Sequence, residues 1–287
     1  MLRLLLPLLL CLTSTLSMGQ KLPLAYNLFT KEGTATKYKK LLKSAAKADI
    51  ILFGESHNDA LGHWLQNTVF RDLQDLDGRP LALGMEMFEV DQQQALEDYL
   101  VGDIELKALD EVGEGVWPNF RTDYEPIAKW AQANGISVYG TNVPRKYARV
   151  VFREGFKGLR PMAESGEFPP LPIPYDPNQP AYVEMLEMMP GGHGGENFPK
   201  AQAIKDATMA WRISQVLPEN GRLFHLNGSF HSDNYQGIYW YLDRYAPEKK
   251  VMTITVVEQE EVDDLLKENE GKADFIFTVP ATMTKTY

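Results

Sequence analysis

The chain has 287 residues and carries 29 Lys+Arg against 39 Asp+Glu, a formal net charge of −10. A surface that acidic repels a phosphate backbone, which excludes nucleic acid as a partner. Cys11 is the single cysteine, so the fold relies on an ordinary apolar core rather than on disulfides or thiolate-bound zinc.

In chain order, the first segment reads as an export signal. Arg3 supplies a positive start, residues 4–12 form an apolar run broken by Pro7, and Ser17 and Gly19 place small residues where a signal peptidase reads. This puts a signal peptide at 1–19, the mature start at Gln20 and one α/β domain over 20–287. The protein is then expected to be exported, either periplasmic or associated with an outer membrane. Leu8-Leu9-Leu10-Cys11 also has the outline of a lipobox, but Leu10 stands where a small residue belongs, which leaves lipidation of Cys11 open. No later apolar run is long enough to span a bilayer.

Six short apolar runs read as strands: 50–53, 81–87, 137–140, 222–226, 251–257 and 275–279. Most are continuous rather than alternating, as in strands covered on both faces. Amphipathic segments at 60–76, 124–134, 201–216 and 235–245 read as helices. Strands alternating with helices predict a largely parallel sheet flanked by helices, an α/β fold whose strand order the sequence does not reveal. Two stretches interrupt the rhythm and read as helical or loop insertions, at about 101–121 and 155–198. The second holds a proline-rich run and a glycine-flanked His193, and is expected to form an extension or lid beside the strand ends.

One pattern occurs twice. Gly54-Glu55-Ser56-His57 follows the first predicted strand, and Gly228-Ser229-Phe230-His231 follows the fourth. Glycine permits a sharp exit from a sheet, and the histidine three residues on is presented above the sheet edge. Glu86 lies within the second strand, and Asn142 and Arg145 lie just past the third. Carboxyl ends of parallel strands share one rim, so Glu55, His57, Glu86, Asn142, Arg145 and His231 are expected to converge on a crevice.

Plainer readings stand beside this one. Each histidine could cap a helix or satisfy a loop carbonyl, and Glu86 could form a structural bridge with Arg145. His63 falls six residues after His57, not at zinc-motif spacing, and reads as support for the site. Glu89 and Asp91 suit the start of a helix. His193 is either an incidental loop residue or a mobile ligand arm. Met185, Met188 and Met189 fit a core as well as a cofactor contact. Asp206 has no place from the sequence alone.

At these residues the sequence resembles the ChaN family, the haem-binding uptake domain of the Tiki/erythromycin-esterase-like superfamily. The resemblance rests on Phe53 to His57 with His63, Met85 to Glu89 with Gln92 and Gln93, Asn142 to Arg145, Asp206 to Ala210, and Gly228 to His231. It covers about 40–279. The resemblance implies an α/β domain with a smaller helical part, and an exported or outer-membrane-associated role in haem or iron acquisition. It further implies haem bound as a cofacial pair between two subunits through tyrosine, hence a homodimer. Distant members are hydrolases that use the two histidines and the strand-end glutamate, some with a metal.

Two functions follow. The first is haem binding for iron uptake, with Tyr175, Tyr182 and His193 of the insertion as candidate contacts, since tyrosine and histidine serve as axial ligands. The second is hydrolysis. His57, Glu86 and His231 form a candidate three-ligand site for a divalent metal such as zinc or manganese. Without metal, His57 or Glu55 would be the general base, the other histidine a proton donor and Arg145 a partner for a developing oxyanion. A third reading, a surface adhesin, accounts for the acidic exterior but not for the clustered histidines.

Overall fold

The computed structural model describes residues 24–187 and 195–287. The expected signal segment with Cys11, and His193, Met188 and Met189, lie outside the described residues. In chain order the elements are β1 (Asn27–Thr30), α1 (Tyr38–Ala45), β2 (Ile50–Glu55), α2 (Ala60–Gln74), β3 (Leu81–Glu89), α3 (Gln93–Val101), α4 (Leu106–Asp110) and α5 (Glu125–Ala133). Then come β4 (Ser137–Asn142), α6 (Arg145–Glu154), α7 (Pro180–Glu187), α8 (Asn197–Val216), β5 (Arg222–Gly228), α9 (Ile238–Tyr245), β6 (Val251–Gln259) and β7 (Phe275–Pro280).

The strands form a single sheet in the order β1-β7-β6-β2-β5-β3-β4. Every pairing is parallel except β1 with β7 at the edge. The α/β reading holds, and the six expected strands all form. β1, a four-residue antiparallel edge, was not anticipated because so short a run carries no periodic signal.

Alternation along the strands assigns the two faces. Ile51, Phe53, Leu83, Met85, Phe224 and Leu226 enter one core, under α1, α2, α3 and α5. Their neighbours Ile50, Leu52, Ala82 and Leu223 enter the other, under α6, α8 and α9. Both faces of the central strands are covered, which explains their unbroken apolar sequence. At the amino end of β5, Arg222 is fully buried and held by Asp77 and by the Ala46 and Ala48 carbonyls. That end of the sheet is closed, and the carboxyl end is left for a site.

Local capping sets the helices against this rim. Asp59 caps α2, its carboxylate accepting from the Leu61 N–H at 3.1 Å. Gln92 accepts from the Glu89 N–H at 2.8 Å, turning the chain out of β3. α6 is an addition to the expected elements: Pro144 ends the strand exit and Arg145 begins ten helical residues. Of the two insertions, the first contains α4 and a wide turn at Phe120–Tyr124, and the second contains a 3-10 segment at Phe156–Met162 and then α7. No helix among the described residues is long and apolar enough to cross a membrane.

Candidate functional site

The repeated glycine-histidine pattern has a direct structural cause. β2 and β5 are neighbours in register, with Glu55 opposite Gly228. A Cβ on Gly228 would lie 2.7 Å from the His57 ring, and one on Gly54 would lie 2.9 Å from the Ser229 Cα. The two strand exits press against each other, and only glycine leaves room. β3 is the next strand over and brings Glu86 to the same rim. His57, Glu86, Asn142, Arg145 and His231, expected to converge, all line one cleft of about 310 Å³.

His57 is one-third exposed and faces the cleft, its Nδ1 3.0 Å from Glu55 Oε1. The edge of Trp117 packs on the imidazole at 4.7 Å, and the Asn119 amide donates to the His57 carbonyl at 2.7 Å. Burial opposes the imidazolium, but the hydrogen bond to Glu55 and the charge of Glu86 outweigh it and raise the His57 pKa.

The Glu55 carboxylate has no exposed surface. The Tyr124 hydroxyl donates to its Oε1 at 2.5 Å, and His63 Nε2 lies 3.4 Å from its Oε2. Burial works against its charge, yet the contacts to His57 and His63 hold it below the usual carboxylate range. His63 in turn sits 3.3 Å from Asp123. Glu55 therefore orients His57 from behind rather than reaching the cleft as a base, and His63 supports Glu55.

His231 is sealed. Its Nδ1 lies 2.5 Å from Asp206 Oδ1 and its Nε2 3.0 Å from Glu86 Oε1. Burial alone would favour the neutral ring, but the charges of Glu86 and Asp206 push its pKa up to about 10. Glu86 also accepts the Gly228 N–H at 2.7 Å. Against the cost of burial, the charge of His231 holds the Glu86 carboxyl far below its ordinary range. Asp206 shifts upward, because burial and the charge of Glu86 outweigh its share of His231. Asn142 donates to the Glu86 carbonyl at 3.1 Å and fixes the strand beneath it.

Other expectations are corrected. Glu86 pairs with His231 and not with Arg145, whose guanidinium is 55 % exposed at the rim and 3.8 Å from Glu114. The three-ligand metal site on His57, Glu86 and His231 is not formed: among the described residues no group of three or more His, Cys, Asp or Glu is placed to hold a metal ion. Both His231 nitrogens face carboxylates, so the ring is held as a two-proton cation with no lone pair to offer.

The two insertion tyrosines differ, Tyr182 being buried and Tyr175 half-buried. Tyr182 is 1 % exposed and its hydroxyl donates to Asp206 Oδ2 at 3.2 Å. Tyr175 lies between Phe156 and Tyr182, stacked on the latter at 5.5 Å. The Tyr182 hydroxyl is thus committed to Asp206 and not offered to a bound macrocycle, and His193 is outside the described residues. The cleft itself, walled by carboxylates, imidazoles and cations, suits a small polar ligand and does not fit haem's apolar ring. Residues missed by sequence reasoning are Trp117 and Asn119, which the first insertion folds over His57, and Asp123 and Tyr124 just beyond it, which reach His63 and Glu55. Asp206 was visible only as a motif residue; its carboxylate reaches His231 from α8.

A family model described as haem-binding uptake, Tiki superfamily, ChaN, matches residues 41–242. The shape is similar to that of ChaN of Campylobacter jejuni with a TM-score of 0.61 and 15 % identity, over 88 % of this chain and 96 % of that one. In sequence the chain is 24 % identical over 215 residues to the chloroplastic protein RETICULATA-RELATED 5 of Arabidopsis thaliana, covering 69 % of this chain and 29 % of that protein. The chain thus spans under a third of that relative's length. With its fold, its strand-end motifs and more than half of its length matched by the family model, the chain belongs to the ChaN family of haem-binding uptake proteins in the Tiki superfamily.

Proposed function

We propose that this protein binds haem and serves haem-iron uptake as an exported protein. The observation that supports the reading is the family match across residues 41–242. The similarly folded Campylobacter jejuni protein binds haem cofacially, and the same arrangement here would pair two copies of the chain. Titrating the purified protein with haemin tests the reading. A saturable Soret shift at micromolar haemin is expected; its absence would sink the proposal.

A second reading is favoured by one arrangement, a carboxylate-oriented imidazole facing a polar cleft beside a buried cation. Glu55 holds His57 Nδ1, which leaves Nε2 to take a proton from water as that water attacks an ester or amide carbonyl. The same imidazolium then returns the proton to the leaving group. His231 holds the Glu86 carboxylate in place beside the cleft, and Arg145 at the rim can neutralise the developing oxyanion. Because the His57 pKa is raised, activity should climb as pH rises through that value and the base becomes neutral. A screen of ester and amide substrates decides it: turnover by wild type that His57→Ala abolishes supports hydrolysis, and an inert wild type removes it.

A further inference from the structure

A second concavity adjoins the cleft and has the opposite character. It runs between α6 and α8, has a volume of about 390 Å³ and shares Arg145 and Lys205 with the cleft. On α6 its lining falls at Arg145, Ala148, Arg149, Phe152 and Arg153, and on α8 at Phe198, Ala201, Gln202 and Lys205. Both sets recur at three- and four-residue spacing, so each helix turns one continuous stripe to the groove. The small side chains of Ala148 and Ala201 leave the space open. Phe152, 41 % exposed, and Phe198 meet edge to face at 6.3 Å.

The walls are apolar and the rim is cationic, in a chain whose net charge is −10. Glu114 forms a two-pronged bridge to Arg149 at 2.9 and 3.0 Å and lies near Arg145. Arg153 and Lys205 have no ion-pair partner among the described residues. Arg145 and Arg153 are eight residues apart on one helix, a separation of roughly 12 Å at 1.5 Å per residue. Apolar flanks with cations spread along both walls match a flat, hydrophobic ring that carries carboxylates at its edge.

We infer that the α6–α8 groove is the seat of the tetrapyrrole ring, with the Phe152 and Phe198 rings against the macrocycle and Arg153 and Lys205 as partners for its propionates. The inference rests on the haem reading above and adds a location that the polar cleft does not provide. It also places the ligand beside the strand-end site, because Gln202 in the groove wall packs on the His231 ring, its amide nitrogen 3.1 Å from Nδ1 and 3.2 Å from Nε2.

The test uses iron-free protoporphyrin IX, which carries the ring and the propionates but needs no axial ligand. Fluorescence titration of wild type should show saturable micromolar binding, weakened about tenfold or more by Phe152→Asp and by Arg153→Glu. Both side chains are exposed, so circular dichroism and the melting temperature should stay at wild-type values. Leu266→Asp, at another exposed apolar residue, should bind like wild type. No porphyrin binding by wild type, or equal binding by the two groove variants, overturns the inference. So does a concentration-dependent dimer that Phe152→Asp dissolves while no porphyrin binds, since a second copy would then own the groove. A haemin titration run in parallel separates the two claims. Haemin bound with groove variants indifferent leaves the uptake reading and removes the groove. Porphyrin bound in the groove with no haemin shift does the reverse.

Discussion

The ends of β2 and β5 carry the same four-residue pattern and sit side by side in register, yet their histidines live in different surroundings. His57 has one carboxylate behind it and one-third of its side chain open to the cleft. His231 has a carboxylate on each ring nitrogen and is buried. One ring can exchange a proton with a ligand; the other is a fixed charge. The difference teaches that the pattern places an imidazole on the rim, while the acids supplied by other elements decide what it does there. Glu55 comes from the motif itself, Glu86 from β3 and Asp206 from α8.

The largest expected effect comes from removing the fixed charge. His231→Ala leaves Glu86 and Asp206 facing each other without a cation and should cost roughly 3–5 kcal/mol, the range for breaking a buried ion pair. Midpoints of urea unfolding measure it. His57→Ala should cost less, roughly 1–3 kcal/mol, the range for leaving one buried acceptor short of a donor, and toward its lower end because Tyr124 still donates to Glu55. Equal losses in the two variants would erase the distinction between the strand ends.

The pH dependence sharpens the same contrast. The His231 pKa is raised from 6.5 to about 10 by its carboxylates, so the stability it contributes is fully present below pH 6.5 and declines as pH rises through about 10. Glu86 is shifted the other way, so its contribution is present above its ordinary value and is lost in strong acid. The fall of stability on the alkaline side should therefore be shallower in His231→Gln than in wild type. Histidine proton resonances should show His57 titrating while His231 remains charged.

Smaller effects test the contacts between the two ends. Gly228→Ala drives a methyl group into the His57 ring, and the overpacking should cost roughly 1–3 kcal/mol with the imidazole displaced from Glu55. Calorimetric melting and the His57 ring shifts read both consequences. Tyr182→Phe removes the hydroxyl that bonds Asp206 and also meets Tyr241, and should cost about 1 kcal/mol per bond lost. A loss several times larger would mean that α7 is coupled to His231 more strongly than these bonds account for.

Much of this was legible in the chain as written. The parallel sheet announced itself through unbroken apolar strands, the two histidines through a repeated exit pattern, and Glu86 through a charge where none belongs without a partner. Other features were not. α6 is a case in point: its arginine-rich sequence has a low apolar content, which weakens the helical signal of Arg145–Glu154. Trp117 and Asn119 sit in the first insertion, whose sequence carries no strong periodic signal. Asp206 lies in a helix whose register against β5 has no local cause.

What the sequence determined by itself was everything governed by neighbours along the chain: which segments are strands, where glycine must yield, and which residues stand at the rim. Only the tertiary structure decided which acid meets which imidazole, that Tyr182 is turned into the core, and that α6 and α8 leave an apolar groove between them. Pairings of that kind depend on strand order and helix register. These are settled by the packing of two whole cores, and no short window of sequence contains them.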